Sequence, residues 1–139
     1  MMPSIKRIDH IAILVDEIHE ALTFWRDTLG FQLDHLEEVP EQQAEVAFIP
    51  VSESELELVR PTTEDSGIAR FLKKRGPGIH HICFEVDDLE ACLSRLKERG
   101  VRMINPEPVP GAEGKIAAFI HPESAGGVLI ELCEWPSKE

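Results

Sequence analysis

The chain repeats itself. The stretch "RIDHIAILVDEIHEALTFWRDTLGF" (residues 7 to 31) and the stretch "GIHHICFEVDDLEACLSRLKERGV" (residues 78 to 101) share one plan. Each leads through a histidine into an alternating apolar run ending in Val-Asp, then into a helix-period segment closed by glycine and an apolar residue. Asp16 and Asp87 stand where a helix N-cap is expected, and Gly30 and Gly100 where a C-terminal glycine is expected. Ile18, Ala21, Leu22, Trp25 and Leu29 recur at helical spacing, as do Leu89, Cys92, Leu93 and Leu96, so each helix carries one core-facing stripe. A repeated unit of this kind cannot bury its apolar side alone, which makes paired modules the expected architecture.

Three short strand candidates follow each helix: 31–38, 44–50 and 54–60, then 101–104, 116–120 and 127–133. The unit is therefore βαβββ, used twice. Module one covers about residues 5–60, module two about 79–135, and "RPTTEDSGIARFLKKRGPG" between them is a linker with its own short helix, within about 61–78. All 139 residues fit one domain. The expected fold is α+β, with the two modules joined into a curved mixed sheet that cups a site. The proline-rich "NPEPVPGAEGK" at 105–115 is expected to be a mobile loop at its mouth.

Composition narrows the function classes. Hydrophobic residues are 42% and charged residues 29% of the chain, the mix of a folded soluble protein. A formal net charge of -12 argues against gripping nucleic acid or an anionic membrane. Three cysteines, Cys83, Cys92 and Cys133, have neither disulfide-framework nor zinc-site spacing and are expected as buried free thiols. No apolar stretch approaches the ~20 residues of a membrane span, and the opening segment reads as strand and not as signal peptide. A cytoplasmic location is expected.

Strand parity separates the chemistry-bearing residues from the core. Residues two apart share a face, so Ile11, Ile13 and Val15, with Ile82, Phe84 and Val86, form the core set. His10, Ala12 and Leu14, with His81, Cys83 and Glu85, take the other face. His10 thus matches His81, and His80 matches Asp9 and lies with the core residues. In the later strands the same reading sends Val46, Phe48, Leu56, Leu58, Val128, Ile130 and Leu132 to the core. Glu45, Ala47, Ile49, Glu57 and Glu131 fall opposite. A mid-strand carboxylate among apolar neighbours must be solvated, paired or bound to a metal. His10 with Glu57 and His81 with Glu131 make a divalent-metal set if the modules pair. His19, His35 and His121 lack such partners and are expected to be structural.

The double βαβββ pattern resembles the vicinal oxygen chelate superfamily. The pieces "IDHIAILV", "VPEQQAEVAFIP", "LELVRP", "SGIARFLKKRGPGIHHICFEVDD" and "FIHPESAGGVLIELCEW" resemble the methylmalonyl-CoA epimerase family over essentially the whole chain. The resemblance implies one divalent metal per chain (cobalt, manganese, nickel, zinc or magnesium) on His10, Glu57, His81 and Glu131. It also implies an acyl-CoA substrate whose C2 centre is inverted through an enolate, and a homodimer. It places a catalytic carboxylate on Glu45; because epimerisation takes a proton from one face and delivers it to the other, Glu131 of the other module is assigned as the opposed acid/base. Lys115 and the Arg70, Lys73, Lys74 and Arg75 cluster are the basic residues on offer to the substrate phosphates, and nothing in the sequence localises that contact. Some members carry glutamine where this chain has Glu57, which brings the set nearer to glyoxalase I. A lactoylglutathione lyase and a metal-free ligand-binding protein of the same fold are the alternative readings.

Overall fold

The structure is a computed structural model describing residues 4–137. It contains eight strands: β1 (Ile5–Leu14), β2 (His35–Val39), β3 (Ala44–Val51), β4 (Ser54–Pro61), β5 (Gly78–Val86), β6 (Val109–Pro110), β7 (Ile116–Ile120) and β8 (Ile130–Glu134). The helices are α1 (Ile18–Leu22), continued by a π-helical turn over Thr23–Thr28, α2 (Gly67–Arg75) and α3 (Leu89–Glu98). Among the described residues no helix is long and apolar enough to cross a membrane.

The chain divides into two compact units, one from His10 to His80 and one made of the strand residues up to Asp9 together with the chain from His81 onward. Each is a βαβββ module, as the repeat predicts. In the first, β1 pairs parallel with β4, β4 antiparallel with β3, and β3 antiparallel with β2. In the second, β5 pairs parallel with β8, β8 antiparallel with β7, and β7 antiparallel with β6.

The first unit's core gathers Val15, Ile18, Leu22, Ala47, Ile49 and Leu58, with Ile13, Ala21, Trp25, Phe31, Leu33 and Leu56 packed around them. The second unit's core gathers Val86, Leu89, Cys92, Leu93, Ala118, Ile120 and Leu132, with Phe84, Leu96 and Ile130 against them. The helix stripes therefore meet the predicted faces of β1, β4, β5 and β8. Each fully buried Leu or Ile contributes roughly 1.5–3 kcal/mol.

Several local expectations are corrected. The α1 stripe does not extend to Leu29, which is 52% exposed. The π-helical turn bonds Leu29 N–H to the Phe24 carbonyl at 2.9 Å, five residues back, and rotates the last turn so that Phe31 and Leu33 fill the core instead. Gly30 and Gly100 do end the helices with positive φ, at 93° and 74°. The N-caps lie one residue beyond the expected aspartates. Glu17 caps α1 without a side-chain bond, whereas Asp88 caps α3 by accepting from Ala91 N–H. Asp87 instead accepts from Ser4 N–H.

Residues 101–104 form no strand; Met103 makes one isolated bridge to Ile120, and Val101 and Met103 pack on the α3 core. The matching strand is β6, two residues inside the proline-rich segment, where prolines lack the N–H a longer ladder needs. That segment carries hydrogen bonds of its own. Asn105 Nδ2 donates to the Glu107 carbonyl, and Gly111 N–H to the Lys115 carbonyl. β8 begins at Ile130, and Val128 is 44% exposed outside it.

The face of β3 is also reversed from expectation. Ala47 and Ile49 join the helix-side core with Leu58, while Val46 and Phe48 lie on the other face, Phe48 directly opposite Glu57. Residues 46–49 are all at most 1% exposed. With both faces covered, the sequence loses the alternation that would have told them apart.

Candidate functional site

In the first unit, His10 on β1 and Glu57 on β4 meet with His10 Nδ1 3.2 Å from Glu57 Oε2. In the second, His81 on β5 and Glu131 on β8 meet with His81 Nε2 2.9 Å from Glu131 Oε1. The two pairs are built alike. Glu57 lies opposite Ala12 and Glu131 opposite Cys83, each two residues past the histidine, so each carboxylate reaches diagonally back to its imidazole. On the antiparallel side, Glu57 lies opposite Phe48 and Glu131 opposite Phe119. The His–Glu–Phe arrangement is thus a repeat of structure as well as of sequence.

Both carboxylates are buried, Glu57 at 6% and Glu131 at 4% exposure. A buried carboxylate without a countercharge costs several kcal/mol, so each requires a proton, a cation or a metal ion beside it. Two imidazoles and two carboxylates also suit a divalent cation that accepts nitrogen and oxygen ligands. The donor chemistry fits a metal.

His80, next to His81, turns to α2. Its ring meets Phe71 of α2 edge-on at 4.7 Å between centroids. His35 stacks on Phe48 at 4.5 Å and bonds Asp34 through Nδ1, and His121 Nδ1 accepts from Glu123 N–H. His19 sits on α1.

Glu45 is not on the face expected for it. Its register partner on β4 is Arg60, whose Nε donates to Glu45 Oε1 at 3.1 Å. Glu45 therefore shares the side of Ala47, Ile49 and Leu58, and Glu57 with Phe48 occupies the other. Both members of the Glu45–Arg60 pair are one-third exposed, a setting in which ion pairs contribute ~1 kcal/mol or less.

Lys115 is likewise unavailable to substrate phosphates. It is 3% exposed, with Nζ 3.1 Å from Asp9 Oδ1 and 4.8 Å from the centre of the Trp135 ring. Asp9 Oδ2 also accepts from Trp135 Nε1 at 2.7 Å and from Arg7 at 3.2 Å. Sequence reasoning missed this network, because Lys115 and Trp135 lie more than a hundred residues from Asp9 and none of the members carries a motif. Arg70, Lys73, Lys74 and Arg75 are exposed on α2, with Arg75 over the Phe71 ring.

All three cysteines are free and buried. Burial pushes the Cys83 thiol up, reinforced by its hydrogen bond with Cys133 and by the negative charge of Glu131. Cys83 packs as an uncharged thiol opposite Glu131 on β8.

Residues 9–119 match the model of the Glyoxalase/Bleomycin resistance protein/Dioxygenase superfamily. The chain is 42% identical to an ethylmalonyl-CoA/methylmalonyl-CoA epimerase of Cereibacter sphaeroides, covering 92% of this chain and 97% of that one. It is 39% identical to the mitochondrial methylmalonyl-CoA epimerase of Mus musculus, covering 91% and 71%. A solved structure of a methylmalonyl-CoA epimerase in complex with methylmalonyl-CoA and NH4+ superposes with a TM-score of 0.89 at 37% identity, covering 98% of this chain and 99% of that one.

Proposed function

Since the chain belongs to the methylmalonyl-CoA epimerase family, within the Glyoxalase/Bleomycin resistance protein/Dioxygenase superfamily, we propose that it interconverts (2R)- and (2S)-methylmalonyl-CoA by moving the proton at C2. The observation that carries the reading is the buried His–Glu pair built twice with one register. We assign His10, Glu57, His81 and Glu131 as the ligands of one divalent cation per chain. When bound, that cation supplies Lewis-acid stabilisation of the negative charge developing on the substrate oxygens.

The protein's own part is to hold and move a proton. Glu131 is the acid/base we assign, holding the C2 proton at a carboxylate oxygen. At 4% exposure its carboxylate is kept from bulk water, which would otherwise compete for the proton. Epimerisation also needs a proton delivered from the opposite side of C2. For Glu45 to serve there it would have to release Arg60 and leave the helix side of β3. The reading extends to a homodimer in the cytoplasm, where three unpaired thiols are at home.

The test is exchange at C2. In deuterated water the metal-loaded protein is expected to exchange the C2 hydrogen of methylmalonyl-CoA, and protein stripped with a chelator is expected to stop. Metal-loaded protein that leaves this hydrogen untouched would refute the epimerase reading.

Glu45→Gln is expected to leave kcat within about twofold, against the ~100-fold or greater loss typical of a removed acid/base. A loss of that size with metal content unchanged would establish Glu45 as the second base.

A further inference from the structure

We propose that Phe119 is the specificity-determining residue of the reaction, its ring setting how large a substituent C2 can carry. The inference rests on the epimerase reading above.

Phe119 and Glu131 are direct partners across β7 and β8, so their side chains rise from the same face of the sheet. The backbone of Phe119 shows which kind of partner it is. Its N–H donates to Asn105 Oδ1 at 2.7 Å and its carbonyl accepts from Ile104 N–H at 2.8 Å. Both groups therefore point away from β8. The Phe119–Glu131 pair is the non-hydrogen-bonded kind, in which side chains stand closest, with Cα atoms ~4.5 Å apart. The ring also meets His81 edge-to-face at 5.3 Å and 85°. Phe119 thus touches one member of the His81–Glu131 pair and stands directly opposite the other.

The internal repeat sharpens the assignment. Phe48 is the equivalent residue opposite Glu57, and it is wholly buried beneath the stacked His35 ring. Phe119 is only half-buried. Of the two aromatic residues beside candidate ligands, it is the one with surface left for another molecule. A substrate whose C2 proton is taken by Glu131 brings the group on C2 up to this ring. Asn105 and Ile104 bond the ring's backbone from the outer edge of β7, which opposes a shift of the strand away from Glu131. Its side chain also donates to the Glu107 carbonyl.

A fixed aromatic surface discriminates by size, and one methylene in such a setting is worth ~10–200-fold in kcat/KM. The experiment compares methylmalonyl-CoA with ethylmalonyl-CoA in the C2 exchange assay, using metal-loaded protein. Phe119→Leu and Phe119→Ala are expected to raise the ethylmalonyl-to-methylmalonyl ratio of kcat/KM by about tenfold. Phe119→Trp is expected to lower it. Metal content is measured in each variant, because a ring that served only to orient His81 would change metal retention and leave the ratio alone. An unchanged ratio in Phe119→Leu and Phe119→Trp overturns the proposal, even if Phe119→Ala fails to fold. Wild-type protein that exchanges neither substrate would refute the epimerase reading instead, so the two failures are separable.

Discussion

His81→Ala should lose its metal and its turnover together. Removing a group that merely orients a metal ligand already costs 10- to 100-fold in affinity or activity, so removing a ligand is expected to exceed about 100-fold in both. The variant also leaves Glu131 buried without the imidazole that lies 2.9 Å away, so its carboxylate must take a proton or admit water. His10→Ala should behave the same way, because its pairing with Glu57 repeats the arrangement. The informative control is His80→Ala, one residue along the same strand. His80 touches Phe71 edge-on, a contact worth ~0.5–1.5 kcal/mol, so a lower melting temperature with full metal content is expected. Elemental analysis alongside the C2 exchange rate reads all three variants. Full metal content in His81→Ala, or a metal-free His80→Ala, would reverse the parity argument.

That control also marks how far the sequence could be read. His10 with Glu57 and His81 with Glu131 were legible because a two-residue period and an internal repeat constrain the same residues independently. A one-residue slip would have put one histidine of the pair on the wrong face. The same reasoning failed on β3, where residues 46–49 are buried on both sides and period two carries no information. Glu45 inherited that error. The length of α1 misled for another reason: a π-helical turn adds one residue to its hydrogen-bonded loop, and nothing in "TFWRDT" announces it. Asn105 stayed hidden because its role depends on a side chain crossing to the edge of β7. Local patterns brought out the two His–Glu pairs, whereas the polar contacts of Asn105 and Asp9 reach across the chain and leave no local pattern.

Lys115→Met should be strongly destabilising. Lys115 and Asp9 are 2% and 1% exposed in their side chains, with Nζ 3.1 Å from Oδ1. A buried pair of this kind can contribute little net stability, because desolvation offsets attraction. Breaking it from one side is different: the remaining carboxylate stays buried with less compensation, at about 3–5 kcal/mol. That is a large share of the ~5–15 kcal/mol by which a domain is stable. Arg7 and Trp135 would still donate to Asp9, which places the expected loss toward the lower end of that range. Trp135→Phe provides a milder probe that should still fold. It keeps a ring near Lys115 and removes one donor to a charged acceptor, a loss of ~1.5–3 kcal/mol. Urea unfolding measures both variants, and combining Lys115→Met with Asp9→Leu should recover part of the single-variant loss, since neither charge is then left alone. If Lys115→Met costs less than ~1 kcal/mol, water or rearranged donors must already be compensating Asp9. The buried network would then not be what ties β1 to the loop before β7 and to the residue after β8.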